Sequence, residues 1–302
     1  MAESIAAPVA ATVDGHPSRG GRRPSLSWLG AVPFLGYVGL FLLLPTLIVA
    51  VEAFGTKDGR PTLSNIRLLT QGYVFEAFVK SVELSAASAI IGAMFGALLA
   101  YAVVTGNPDG LTRRLTASAC GVLAQFGGVT LAFAFIASIG PVGLVTVFLA
   151  DHGLNIYAGG VWLYDLRGLI LVYTYFQIPL MVLVFLPALD GLQPQWREAA
   201  TNLGGSTWDY WRHVAIPLLT PAFLGATLLL FANAFSAFAT AAALINQGGI
   251  IVPLQIRTAL TSEVVLGQEN FGKALALGMI VIVSVVMAIY ALIQRRASRW
   301  VR

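Results

Sequence analysis

Gln195-Trp196-Arg197-Glu198-Ala199-Ala200-Thr201-Asn202-Leu203-Gly204-Gly205-Ser206-Thr207-Trp208-Asp209-Tyr210-Trp211-Arg212-His213-Val214-Ala215-Ile216-Pro217 is a polar segment set between two long apolar runs. Pro194, just before it, can begin a helix, because the first turn needs no N–H from that position. Gly204 and Gly205 can end that helix with a left-handed residue. Ser206 and Asp209, three apart, have the spacing of a capping box for a second helix. The segment therefore predicts helix, tight glycine turn, helix, lying at a membrane surface. Trp196, Trp208, Tyr210 and Trp211 give this hairpin an aromatic surface. Exposed aromatics beside charge suit a protein docking site, which is the reading for the glycine turn. For Tyr210 and Trp211, anchoring at the bilayer interface comes first.

Outward from this segment the chain is overwhelmingly apolar. Of its 302 residues, 57% are hydrophobic and 11% charged, with a mean hydropathy of +0.80. A soluble domain carries about 25% charged residues, so a water-exposed surface over the whole chain is excluded. A disulfide scaffold is excluded by the single cysteine, Cys120. Disorder is excluded for most of the chain by its apolar content. A polytopic membrane protein remains. The net charge of +4 and pI near 9.4 fit lysines and arginines that hold loops at the cytoplasmic face, not a nucleic-acid patch.

A membrane-crossing helix needs roughly 20 apolar residues. Six runs qualify, at about Trp28–Phe54, Phe78–Val104, Thr116–Ile139, Leu169–Leu189, Leu218–Ala243 and Ala274–Ile293. Gly140–Ala150 is apolar but short and predicts a partly buried outer helix. Residues 1–26, rich in Ala, Ser, Gly, Pro and Arg, predict a flexible cytoplasmic tail. Residues 27–302 form the six-span domain, with its polar loop at 190–217. With both termini inside, the inner segments hold eleven arginines and the outer segments seven lysines and arginines, the sense of the positive-inside rule.

The sequence contains no HExxH, CxxC or GxxxxGK[ST] pattern, and its three histidines, His16, His152 and His213, are far apart. No metal, cofactor or catalytic cluster is predicted, and the chain has no visible ATP-binding apparatus.

Glu198-Ala199-Ala200, then three residues, Gly204, nine residues, and Val214-Ala215-Ile216-Pro217 resembles the EAA loop of binding-protein-dependent ABC importer permeases. The family pattern ends Ile-x-Leu-Pro, so Val214 and Ile216 are conservative departures. Phe41-Leu42-Leu43-Leu44-Pro45, Tyr175-Phe176-Gln177-Ile178-Pro179-Leu180-Met181 and Ala274-Leu275-Ala276-Leu277-Gly278-Met279 are similar to stretches in the spermidine/putrescine, aminoethylphosphonate and ferric-ion group. The resemblance implies an all-α type I ABC importer permease fold (MetI-like), six spans, and cytoplasmic N- and C-termini. It implies a pore built with a second permease, a homologue more than a second copy. Two copies of a cytoplasmic ATPase would carry the ATP and magnesium, and an extracytoplasmic binding protein would deliver the solute. Glu198, Ala199, Ala200, Gly204, Gly205, Trp208 and Pro217 would form the ATPase-coupling loop. Within it, Glu198 would pair with a basic group of the ATPase, Gly204 would allow close backbone approach, and Pro217 would lead into the next span. A polyamine-type solute is favoured among small polar solutes.

Polar groups inside spans are costly and point to function. Asn233, Ser236 and Thr240 share one helical face at i, i+3 and i+7, suited to a pore wall. Tyr173 and Gln177 share a face at i, i+4. The alternative for all five is hydrogen bonding between helices within the subunit. Gln125 and Thr130 are weaker candidates. Lys80 and Glu83, at i, i+3, can neutralise one another, or Glu83 can line the outer vestibule and attract a cation. Gly92, Gly96 and Ala100, at four-residue spacing, predict close helix packing. The competing class is a stand-alone secondary transporter or channel. It calls for inverted repeats and midplane carboxylates, and neither is evident.

Overall fold

The computed structural model describes residues 31–55, 60–107, 110–245, 250–261 and 270–297. The tail expected over 1–26 lies outside the described residues. The chain divides into two units, Met1–Leu47 and Ile48–Arg302.

In chain order the helices are α1 (Val32–Val38), α2 (Leu44–Glu52), α3 (Ser64–Leu68), α4 (Gly72–Thr105), α5 (Leu111–Gln125), α6 (Gly128–Ile139) and α7 (Leu144–Asp151). They continue with α8 (Leu166–Asp190), α9 (Pro194–Asn202), α10 (Thr207–Tyr210), α11 (Ile216–Ser236), α12 (Ala239–Leu244), α13 (Val252–Thr261) and α14 (Phe271–Ala297). A π-helical turn, Gly39–Leu43, joins α1 to α2. It falls just before Pro45, whose ring and missing N–H disrupt the regular ladder at that point. A second π-helical turn, Trp211–Ala215, joins α10 to α11 and again precedes a proline, Pro217.

In the larger unit, α4 and α8 form the most intimate helix pair. A Cβ on Gly92 would lie 2.5 Å from Gln177 Cβ, and one on Gly96 would lie 2.4 Å from Met181 Cβ. Four residues forward on one helix is four residues forward on the other, so the two run parallel. Ala100, one turn on, is fully buried. The small-residue stripe of α4 is therefore a packing seam, as its spacing predicts. α11 runs antiparallel to α8: Gln177 Nε2 donates to Leu230 O, and Tyr173 Oη, one turn earlier, donates to Ala237 O. Gly225 of α11 receives the ring of Tyr290, and Gly278 of α14 receives that of Phe78.

Among the described residues, six stretches are long and apolar enough to cross a membrane: Val32–Glu52, Gly72–Thr105, Gly128–Asp151, Leu166–Asp190, Thr207–Ser236 and Phe271–Ile293. Four agree with the sequence reading to within a few residues at most ends. Two differ in kind. The expected Thr116–Ile139 helix is broken at Phe126–Gly127, where Gly128 takes φ +72°. The expected Leu218–Ala243 helix stops at Ser236, turns at Ala237 (ψ 117°) and restarts as α12. The short helix expected near Gly140–Ala150 is present as α7, but it falls within the membrane-crossing stretch Gly128–Asp151 instead of outside the spans.

Candidate functional site: the hairpin and the membrane polar groups

The polar segment folds as its residues dictate. Gln193 is extended (φ −77°, ψ 132°) and Pro194 opens α9. At the other end the Gly204 N–H donates to Thr201 O and the Gly205 N–H to Ala200 O, both at 2.9 Å, with Gly204 at φ +80°. This is a Schellman ending, with its left-handed position filled by the residue that bears it at no steric cost. Gly205 is required for space as well, since a Cβ there would lie 2.9 Å from Ala200 O. A Cβ at Gly204 would meet nothing within 4 Å, so within this chain the need at Gly204 is conformational.

The second helix begins with a complete capping box. Ser206 N–H donates to Asp209 Oδ2 at 2.9 Å, and Asp209 N–H donates to Ser206 Oγ at 3.2 Å. The aromatic surface is more divided than the sequence suggests. Trp208 is 65% exposed, whereas Tyr210 is buried and Trp211 packs edge-on against Tyr101 of α4 at 5.3 Å. Tyr210 and Trp211 anchor the hairpin to the helices of its own subunit. Leu203 is 88% exposed beside the turn. Sequence reasoning passed over it; its signal is a large apolar side chain directly before the two turn glycines. Glu198, Ala199 and Pro217 are exposed, Ala200 is half-buried, and Glu198 makes no ion pair among the described residues. The result is a hairpin that exposes two large apolar side chains, Leu203 and Trp208, and carries Glu198 with no ion-pair partner among the described residues.

The membrane polar groups separate into two sets. Tyr173, Gln177 and Thr240 are fully or almost fully buried inside the subunit. Gln177 and Tyr173 bond to α11 carbonyls, and Thr240 Oγ1 accepts from the Gly128 N–H of α6 at 2.9 Å. These are helix-to-helix contacts, and in this conformation none of the three offers a surface to a pore. The expected common face of Asn233, Ser236 and Thr240 is divided because α11 ends before Thr240. Asn233 and Ser236 stay exposed, with Ser236 Oγ bonded back to Ala232 O at 3.0 Å. Gln125 and Thr130 are also exposed, on either side of the α5–α6 break.

Lys80 does not pair with Glu83. It bonds Glu76 at 2.7 Å, the i, i+4 arrangement with the acid N-terminal, which suits helical geometry better. Glu83 is left exposed with no ion-pair partner among the described residues. Its neighbour Leu84 shares a core cluster with Leu163 and Leu169, so Glu83 stands level with the start of α8, at the end far from the hairpin. Cys120 is buried, as a packing residue should be. No group of three His, Cys, Asp or Glu residues able to hold a metal ion occurs among the described residues.

The family model for the binding-protein-dependent transport system inner membrane component matches residues 153–302, the half that carries the hairpin. The sulfate transport system permease protein CysW of Escherichia coli is 27% identical over 218 residues, 71% of each chain. The spermidine/putrescine permease protein PotB of Haemophilus influenzae is 24% identical over 258 residues, 83% of this chain and 87% of that one. A ferric transport system permease protein, FbpB 1, of the same organism is 26% identical over 248 residues, and this chain spans 37% of its length. In fold, the chain is similar to one from a bacterial ABC transporter involved in alginate import. The TM-score is 0.68 at 18% identity, covering 91% of this chain and 95% of the other. Six apolar helices, the helical architecture and these matches together place the chain in the binding-protein-dependent transport system inner membrane component family, as a multi-pass inner-membrane ABC importer permease.

Proposed function

We propose that this chain forms half of a translocation pore and is driven by a separate cytoplasmic ATPase docked on the α9–α10 hairpin. The observation that carries this reading is the hairpin tip. Leu203 and Trp208 are exposed beside a Schellman turn, on a hairpin whose Glu198 has no ion-pair partner among the described residues. An isolated subunit gains nothing from holding two large apolar side chains in water on this hairpin, whereas a cleft in a partner does. In this reading both termini are cytoplasmic, and two ATPase copies bind ATP and magnesium. A homologous second permease completes the pore, and an extracytoplasmic binding protein supplies the solute. ATP-driven closure of the ATPases draws the hairpins together and turns the pore outward.

The solute class is small, polar and charged. Glu83, unpaired at the end far from the hairpin, supports a cation of the polyamine type. The relatives are named for sulfate, spermidine/putrescine and ferric transport, so the test must span both signs of charge.

The test is purification of the tagged chain from its native membrane in mild detergent, with identification of what accompanies it. An ATPase and a second permease are expected. A Glu198→Ala, Leu203→Asp double variant should lose the ATPase and keep the second permease. Recovery of the chain alone, active in ATP-independent vesicle transport, would overturn the reading in favour of a stand-alone transporter.

A further inference from the structure

The break between α11 and α12 has no local cause in the sequence. Residues 226–245 contain neither glycine nor proline, and Ala234-Phe235-Ser236-Ala237-Phe238-Ala239 would continue a helix without strain. Yet Ala237 is extended, at φ −72° and ψ 117°, and the i→i−4 ladder stops there. Sharp interruptions of a helix arise at proline, at glycine, at π-bulges, or where a side chain enters the ladder. The last case applies. Tyr173, on α8 and fully buried, donates its hydroxyl proton to Ala237 O at 2.7 Å. The Tyr173 hydroxyl oxygen is itself in hydrogen-bonding contact with the Ala241 backbone. In an unbroken helix Ala237 O and Ala241 N–H would bond one another, and the tyrosine hydroxyl stands between them. Thr240, one residue before Ala241, is held from the other side by the Gly128 N–H at 2.9 Å.

We infer that Tyr173 is a positioning residue of the transport path: by inserting its hydroxyl into the α11–α12 ladder it holds the helix broken, and the break sets the exposed face that carries Asn233, Ser236 and Phe238. The inference rests on the pore reading for what that face is used for, but not for the break itself. Two arrangements of one segment follow, broken with the hydroxyl inserted and continuous with it withdrawn. Removing the hydroxyl shifts the population toward the continuous one. Tyr173→Phe keeps the ring, which packs against Phe176 and the surrounding core, and deletes only the oxygen.

The test uses the full chain in a Cys120→Ser background, with spin labels introduced by Leu229→Cys and Ala243→Cys. A continuous helix places these positions about 21 Å apart along its axis, from a rise of about 1.5 Å per residue. The broken form should give a distinct distance. Tyr173→Phe is expected to raise the continuous population by about fivefold, the scale of one lost buried hydrogen bond. Adding Ala237→Gly, which disfavours helix at the break, should restore the broken distance. An unchanged distance in Tyr173→Phe, or a change that Ala237→Gly does not reverse, would overturn the inference. The pore reading is tested apart from it, by the reaction of a Ser236→Cys variant with a membrane-impermeant methanethiosulfonate. Absence of reaction there refutes the pore-facing assignment of Ser236, while the distance measurement still decides the role of Tyr173.

Discussion

Arg113 and Asp190, 77 residues apart, close a 2.6 Å ion pair that ties the start of α5 to the end of α8, four residues before the hairpin begins. The pair is partly exposed, so its contribution to stability is small, on the order of 0.5 kcal/mol. Its position matters more under the proposed coupling role, because the end of α8 leads directly into the hairpin. Arg113→Ala should leave yield and Tm nearly unchanged, with a shift of about 2 °C or less. The same variant should lower solute uptake per ATP hydrolysed in the reconstituted complex. The exchange Arg113→Asp with Asp190→Arg should recover coupling. A Tm drop of 10 °C would show that the pair is structural instead.

The two hairpin glycines should fail for different reasons. Gly204 needs a left-handed backbone and has open space, so Gly204→Asn should be tolerated, whereas Gly204→Val should cost about 1–2 kcal/mol of local stability. Gly205→Ala should also disturb the turn, because its Cβ meets Ala200 O. Amide exchange of Gly204 and Gly205, protected by the Schellman bonds, reads the difference directly.

Packing gives a sharper contrast on two helices. A Cβ on Gly96 would lie 2.6 Å from the backbone oxygen of Ile178, whereas one on Gly121 would meet nothing within 4 Å. Gly96→Val should cost about 3 kcal/mol or prevent folding, by overpacking against backbone. Gly121→Ala should be neutral or stabilise by up to about 1 kcal/mol through helix propensity. Thermal unfolding in detergent checks both.

Glu83→Gln should slow uptake of a cationic solute such as spermidine by about two- to fivefold at low ionic strength, less at high salt. Uptake of an anion should not fall. The reverse pattern would assign an anionic solute.

The sequence by itself determined the class of protein, the number of spans and the hairpin. Each rests on a signal that is local in the chain: apolar runs long enough for a bilayer, a proline that starts a helix, glycines that end it, and a serine and aspartate at capping distance. The Gly127–Gly128 break was within reach of the same logic, because its cause is written at the break. Tertiary structure decided what has no local cause. Lys80 had acids at both i−4 and i+3, and helical geometry chose Glu76. Tyr173, Gln177 and Thr240 had the polarity of pore residues, but only packing against α11 and α6 shows that the Tyr173 hydroxyl, the Gln177 amide N–H and the Thr240 hydroxyl bond inside the subunit. The α11–α12 break was invisible because its residues favour a helix and the group that interrupts them is carried by another one. In a membrane, a backbone carbonyl released from its ladder must find a donor within the protein, and that donor, Tyr173, comes from 64 residues earlier in the chain.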